Sequence, residues 1–162
     1  MVSAARTRRP ETASTSYAST PGVRSRMQVQ RTRDTAPELA IRRRLHAMGL
    51  RFRVDHPLLK GLRRRADIVF GPAKVAVYVD GCFWHGCPIH GRPETRSNTQ
   101  YWADKIIRNR ARDTETDATL SNAGWLVIRV WEHEDPAVVA LRVKDAVFHR
   151  RASRMAHKRS NA

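Results

Sequence analysis

The sequence is poor in cysteine and in acidic residues, and it lacks any long apolar run. Its 162 residues include two cysteines, and 15 Asp and Glu stand against 31 Lys and Arg. Two cysteines cannot build the disulfide framework of a small secreted protein, so metal binding or free thiols are expected. No segment is long and apolar enough for a membrane span. The N-terminus lacks the apolar region of a secretory signal, which predicts a cytoplasmic protein.

The formal net charge of +16 is concentrated at the two ends of the chain. Residues 1–30 carry five basic residues and one acidic residue, and residues 149–162 carry five and none. The long middle part has 21 basic residues against 14 acidic ones. Such an excess implies a polyanionic partner, most commonly nucleic acid. An acidic membrane surface is the alternative, and the lack of a strongly amphipathic basic helix argues against it.

The distribution of apolar residues predicts one domain flanked by two tails. Residues 1–23 are rich in Ser, Thr, Ala, Arg and Pro without periodicity, which is typical of a disordered basic tail. We expect a globular domain over residues 24–149 and a second basic, frayed tail over residues 150–162. This length suits a single domain with a modest core, and no internal repeat is present.

The predicted elements follow the order α-β-β-β-α-β-α. The first helix begins at a capping box, in which Thr35 accepts from the amide of residue 38 and Glu38 reaches back, and it ends at Gly49. Strands are expected over 50–54, 66–70, 74–79 and 125–131, and further helices over 99–122 and from 135 past 147. The two strands with nearly continuous apolar runs, 74–79 and 125–131, are expected to be central. The result is a three-layer α/β domain with a mixed central sheet.

One loop carries soft metal ligands at close spacing. The pattern Cys82-x4-Cys87-x2-His90 places three such ligands within nine residues, and His133 could supply a fourth. Zinc in structural sites prefers four tetrahedral thiolate and imidazole donors. The sequence therefore predicts a zinc site that ties this loop to the end of a neighbouring strand. His85 is an alternative ligand, and the plain alternative is two free thiols beside solvent-exposed histidines.

Asp67 lies inside an otherwise apolar predicted strand. Burial of a lone carboxylate is costly, and a hard Mg²⁺ ion is a natural partner for it. Asp80 and Glu38 could approach the same point from separate elements, and three acids together would suit metal-assisted hydrolysis of a phosphodiester. The alternative is an aspartate at a strand edge that pairs with the arginines of residues 63–65.

Further residues suggest nucleic-acid chemistry. His85 is a candidate proton carrier, because imidazole can exchange a proton near neutral pH. Phe83 and Trp84 could stack on bases or wedge into a duplex step, or they could cover the loop and complete a small core. The long helix carries Lys105 and Asn109 within a set that could track phosphates, although a solvated helix face is the alternative. The other members of this set are Arg108, Arg110 and Arg112.

These motifs resemble the very short patch repair endonucleases, bacterial enzymes that nick DNA beside T:G mismatches. The resemblance covers about residues 27–149, most of the predicted domain. It rests on Arg33-Asp34-Thr35-Ala36-Pro37-Glu38, Arg65-Ala66-Asp67-Ile68-Val69, Val79-Asp80-Gly81-Cys82-Phe83-Trp84-His85, Tyr101-Trp102-Ala103-Asp104-Lys105-Ile106 with Asn109, and Gly124-Trp125 through Trp131-Glu132. The family implies a restriction-endonuclease-like fold, which agrees with the predicted order of elements.

The resemblance also implies an activity and a set of catalytic roles. The enzyme would depend on Mg²⁺ and would nick one strand next to a T:G mismatch in very short patch repair. Asp67 would bind the Mg²⁺ together with the backbone carbonyl of Val79, and Glu38 would assist through water. His85 would act as general base, taking over the part of a lysine that is missing after Asp67. Asp80 stands where some members have histidine, so its catalytic role is left open.

Roles in zinc and DNA binding follow from the same resemblance. Phe83 and Trp84 would insert beside the mismatch, and Met27 would wedge in from the N-terminal arm. Lys105 and Asn109 would contact DNA. The structural Zn²⁺ would take Cys82, Cys87, His90 and His133.

The expected partner is double-stranded DNA that contains a mismatch, with other repair proteins as further candidates. The resemblance places the protein at the nucleoid of a bacterial cytoplasm, and nothing in the sequence requires more than a monomer. Two alternatives remain: a restriction-type nuclease of the same fold with another DNA target, and a non-catalytic zinc-containing module that only binds DNA.

Overall fold

A computed structural model describes residues 33–91 and 99–160, and the statements below concern these ranges. They contain α1 (Ala36–Ala47), β1 (Arg53–Pro57), β2 (Arg65–Phe70), β3 (Val75–Asp80), α2 (Thr99–Asn122), β4 (Leu126–Trp131) and α3 (Pro136–Ser160), with a 3₁₀ turn at Gly71–Ala73. The predicted order of elements is confirmed. No helix in these ranges is both long enough and apolar enough to cross a membrane.

The four strands form a mixed sheet in the order β1-β2-β3-β4. The β1–β2 and β2–β3 pairs are antiparallel and the β3–β4 pair is parallel. β3 is central, as predicted, but β4 is an edge strand of the described sheet, so the prediction of a central position for it is wrong. Its apolar run has another cause: Val127 and Val130 pack into different clusters on opposite faces of the sheet. Helices cover both faces, and such cover produces the same pattern in edge and central strands.

Helices pack on both faces of the sheet and make three layers. On one face α1 and α3 build the larger cluster, in which Leu45 and Val143 are fully buried. On the other face α2 contributes Leu120 to a smaller cluster with Val69 and Tyr78. The three-layer α/β architecture predicted from the sequence is therefore present.

The start of α1 differs from the predicted capping box. Thr35 is the N-cap residue, but its side chain makes no capping bond to the helix amides. Its hydroxyl donates instead to Oε1 of Glu38 at 2.9 Å, and Oε2 of Glu38 accepts from the amide of Asp34 at 3.1 Å. Glu38 reaches back as expected, but it accepts hydrogen bonds from the backbone amide of Asp34 and from the hydroxyl of Thr35. The consequence is a glutamate fixed on both oxygens.

The first strand starts later than predicted, at Arg53. Leu50, expected to begin it, is buried and its amide donates to the carbonyl of Leu45 at 3.1 Å. Gly49 adopts a left-handed φ of +79°, which is usual just after a helix. Leu50 therefore completes the C-terminal cap of α1, and its apolar character reflects packing on that helix. The alternation over 50–54 predicted one strand, but Leu50 belongs to the helix cap and the strand begins only at Arg53.

The last helix is longer than predicted. It continues to Ser160, beyond the predicted end of the domain at residue 149. Arg150 fixes its middle, because the guanidinium donates to the carbonyls of Ala73, at 3.4 Å, and Gly124. The residues that follow are mostly good helix formers, which suits continuation of the helix.

Candidate active site

The acidic residues singled out in the sequence meet at one end of the sheet. Asp67 of β2 accepts a hydrogen bond from the amide of Val79 in β3, with Oδ2 at 2.7 Å. Asp80 is the next residue of β3 and lies opposite Trp131 of the parallel strand β4. Antiparallel pairing of β2 with β3 thus places Asp67 beside the C-terminal end of β3.

Partial burial makes the negative charge of the Asp67 carboxylate costly. Burial raises its pKa from 3.8 to about 6, although the Val79 amide acts in the opposite direction. The nearby negative charge of Glu38 raises the pKa further. The arginines predicted as alternative partners are engaged elsewhere: Arg64 donates to Thr116, at 3.1 Å, and Arg65 donates to Asp55. Oxygen donors in such surroundings fit a hard divalent cation.

Glu38 belongs to a small charged network at the start of α1. It is only 4% exposed, and Nη2 of Arg42 donates to its Oε2 at 2.6 Å. The same guanidinium pairs with Asp34. Arg42 therefore stabilises the charge of Glu38, and α1 delivers that charge close enough to influence Asp67.

His85 faces an acid that the sequence analysis missed. Its Nδ1 lies 2.6 Å from Oδ2 of Asp113 in α2 and 3.7 Å from Oδ1 of Asp80. A carboxylate on Nδ1 fixes the ring orientation and leaves Nε2 as the nitrogen directed elsewhere. This pairing also explains why His85, considered as an alternative zinc ligand, is not among the clustered metal ligands. One signal for this role was available: Asp113 lies about one helical turn before Thr116, which is buried on the inward side of α2.

Arg129 of β4 joins the acids of this region and was also missed. Nη1 donates to both oxygens of Asp80, at 2.8 and 2.9 Å, and Nε donates to Asp117 at 3.0 Å. Nη2 lies 3.2 Å from Oδ1 of Asp113, and the guanidinium stacks 4.9 Å from the ring centre of Tyr78. Burial raises the pKa of Asp80, and the arginine opposes that rise. One cation thus connects β3, β4 and α2.

The four predicted zinc ligands converge. Sγ atoms of Cys82 and Cys87 and ring nitrogens of His90 and His133 all lie within 4.8 Å of one another. Sγ of Cys82 is 3.0 Å from Nδ1 of His133, which follows β4. Two thiols and two imidazoles form a donor set that could hold a metal ion and that zinc prefers. The loop is also tied to β4 by the Cys82 amide, which donates to Glu132 at 2.6 Å.

Phe83 and Trp84 form an aromatic cluster with Trp102 of α2. The three ring centres lie 5.1 to 5.8 Å apart with edge-to-face geometry. Trp102 is buried, whereas Phe83 and Trp84 are half-buried, so the pair rests on a small core and still has accessible surface. Nζ of Lys105 lies 4.9 Å from the ring centre of Trp84, within cation–π range. Trp102 was missed as the base of this cluster.

Asn109, one of the predicted DNA-contacting residues, makes further contacts within the protein. The side-chain amide of Asn109 donates to the backbone carbonyl of Trp84 at 2.8 Å, and it accepts from Arg112. α2 is therefore linked directly to the loop that follows β3. Met27 lies outside the described residues.

Comparison with known proteins points to one family. The family model described as DNA mismatch endonuclease Vsr matches residues 18–90. The chain is 46% identical over 125 residues to the type II nicking enzyme V.NaeI of Lentzea aerocolonigenes, covering 76% of this chain and 75% of that protein. It is 42% identical over 120 residues to V.XorIIP of Xanthomonas oryzae pv. oryzae, covering 73% and 85%. It is 39% identical over 103 residues to the DNA mismatch endonuclease Vsr of Escherichia coli K12, covering 62% and 63%.

We expect Arg129→Ala to destabilise the protein by about 3 kcal/mol or more, because it leaves three neighbouring carboxylates without their shared cation. Urea unfolding followed by tryptophan fluorescence measures the change. Arg142→Ala is the matched control, since Arg142 is about half exposed and, among the described residues, forms an ion pair with Glu134 only. It should cost less than about 1 kcal/mol. Equal effects of the two substitutions would contradict the central position given to Arg129.

Proposed function

Because the chain belongs to the Vsr family of DNA mismatch endonucleases and is a DNA-nicking endonuclease, we propose that its target is a T:G mismatch. It would nick one strand next to that mismatch in very short patch repair. The observation that carries this proposal is the pairing of His85 with Asp113 beside the buried carboxylate of Asp80, which lies close enough to the half-buried Asp67 to influence its pKa. A histidine oriented by one acid, next to other acids that fit a cation, is suited to activating water for phosphodiester hydrolysis.

In this proposal Asp67 and the backbone carbonyl of Val79 would hold Mg²⁺, and Glu38 would assist through water. The fit rests on a half-buried carboxylate whose pKa is raised first by desolvation and further by the negative charge of Glu38. When bound, the ion would act as a Lewis acid at a phosphate oxygen and stabilise the negative charge that develops there. Arg42 orients Glu38 for this role.

His85 takes the proton of the attacking water through Nε2. Asp113 holds the ring at Nδ1 and stabilises the imidazolium that results, which is the usual contribution of an acid behind a histidine base. Asp80 supports the histidine and does not itself take the proton. Both of its oxygens accept from Arg129, and one of them lies 3.7 Å from His85. Its part in the reaction is therefore to position the histidine and to hold the arginine.

The aromatic cluster recognises the mismatch. Phe83 and Trp84 insert beside the mispaired bases, with Trp102 as a rigid support. A mismatched pair costs less to unstack than a matched one, which gives a physical basis for selectivity. Lys105 and Asn109 lie next to the aromatic cluster, so the ammonium group of Lys105 and the side-chain amide of Asn109 contact DNA close to the inserted rings.

The test of this function is nicking of matched and mismatched duplexes. With Mg²⁺, a duplex with one T:G pair should be cut in one strand, whereas the same duplex with a T:A pair should not. His85→Ala should lower the rate by about 100-fold or more, because a general base typically contributes that much. His46→Ala, exposed on α1, is the matched control and should keep the full rate. Equal cutting of both duplexes would refute the repair assignment, and an active His85→Ala variant would refute the role of the base.

We further propose that the metal at Cys82, Cys87, His90 and His133 is a structural Zn²⁺ that touches no substrate. Its role is to fix the loop that carries His85. Elemental analysis of the purified protein should find one zinc per chain. Cys87→Ser should lose the zinc, lower the melting temperature and reduce nicking of the T:G duplex, because His85 would no longer be held in place. His149→Ala, exposed on α3, is the control. A zinc-free sample with the full nicking rate would overturn this role.

A further inference from the structure

The long helix α3 has two apolar faces, and only one of them is used by the fold. Val139, Ala140, Val143 and Val147 are fully buried in the main core. The opposite face carries four large apolar residues that are exposed: Val138 at 59%, Leu141 at 50%, Phe148 at 51% and Met155 at 67%. Large apolar side chains that align on an exposed helix face mark an interaction surface.

The exposed apolar residues follow a coiled-coil spacing. Steps of three and four residues connect Val138, Leu141, Asp145, Phe148, Ala152 and Met155, all of them exposed. We call this set the outer stripe. The alternation of three and four is the heptad pattern of a seam between two packed helices. A stripe of this width matches one partner helix.

The second half of α3 consists mostly of good helix formers, but it has little packing against the rest of the described protein. Among the residues whose side chains the structure describes, none in α3 after Val147 is buried. The helix nevertheless continues for about three and a half further turns to Ser160. Isolated helical segments of this length are marginal in water, so a partner along the outer stripe would stabilise it.

Charges beside the outer stripe indicate the chemistry of that partner. Lys144 and Arg151 flank it on one side. On the other side it is flanked by Arg142, which pairs with Glu134 at 3.1 Å, and by His149. In an antiparallel pair of α3 helices the side with Lys144 and Arg151 would face itself, and in a parallel pair Asp145 would face Asp145, so like charges disfavour a homodimer. The protein's own residues 1–30 are also basic. Acidic flanks are complementary, and a basic residue would face Asp145 in the seam.

We propose that the outer stripe of α3 is a docking surface for an amphipathic helix of another protein, with an apolar seam and acidic flanks. This surface uses none of the residues of the candidate active site. DNA would complement the basic flanks but would leave the apolar seam unmatched. An anionic membrane surface would also attract these flanks, but interfacial helices present a broader apolar face without a central carboxylate such as Asp145.

The test uses the full chain and two synthetic peptides of three heptads. Both have leucine at the seam and one lysine to face Asp145, and they differ in having glutamate or lysine at the flanks. Fluorescence anisotropy should show at least about tenfold tighter binding of the glutamate peptide, and the preference should weaken as salt rises. The double variant Leu141→Gln, Phe148→Gln should lose this binding. Ser153→Gln, on the same helix but outside the stripe, should retain it.

A charge-reversal variant keeps the test decisive even where the glutamine variant folds poorly. Lys144→Glu with Arg151→Glu should reverse the preference towards the lysine peptide, while nicking of the T:G duplex stays unchanged. Equal binding of both peptides, or binding that survives the double glutamine variant, would overturn the proposal. So would a dimer in sedimentation that the glutamine variant dissociates, which would assign the stripe to a second copy. Stripe-dependent binding to phosphatidylglycerol vesicles without peptide preference would assign it to a membrane instead.

Discussion

The guanidinium of Arg129 is the interaction on which the candidate active site depends. Burial opposes its charge, but hydrogen bonds to Asp117 and the charge of Asp80 prevail and raise its pKa, so it remains a cation. Three carboxylates from β3 and α2 lie around it and would otherwise repel one another. Arg129 thereby holds the long helix α2 to the edge of the sheet. Because Asp113 is one of these acids, the same contact sets the position of His85.

The loop between β3 and α2 is held from two directions. On one side Cys82 and Cys87 meet His133, so the loop is tied to the residues after β4. On the other side the amide of Asn109 in α2 donates to Trp84. His85 lies between these attachments and contacts Asp113. A short irregular segment without regular secondary structure is thus held at both ends, which is the rigidity that the proposed role of His85 would need.

Local sequence signals predicted what local physics determines. The helix over 99–122 and the strand before the metal-binding loop followed from periodicity, and the close spacing of Cys82, Cys87 and His90 was enough to predict a cluster. Signals that depend on distant packing were misread or missed. Leu50 read as strand because its role in capping α1 is invisible to alternation. Arg129 gave no sign, and Asp113 gave only its position about one helical turn from Thr116, since the roles of both depend on how α2 docks against β4 across a long separation in sequence.

The central claim is that the Arg129–Asp113 network prepares His85 for catalysis, and single-turnover nicking by Asp113→Asn tests it most directly. With the T:G duplex saturating and Mg²⁺ present, the account predicts a chemical step slower by about 100-fold or more. DNA affinity should stay within about twofold of the unmodified protein, because Asp113 contacts His85 and Arg129 rather than the aromatic cluster. A variant that cuts at the original rate would contradict the account.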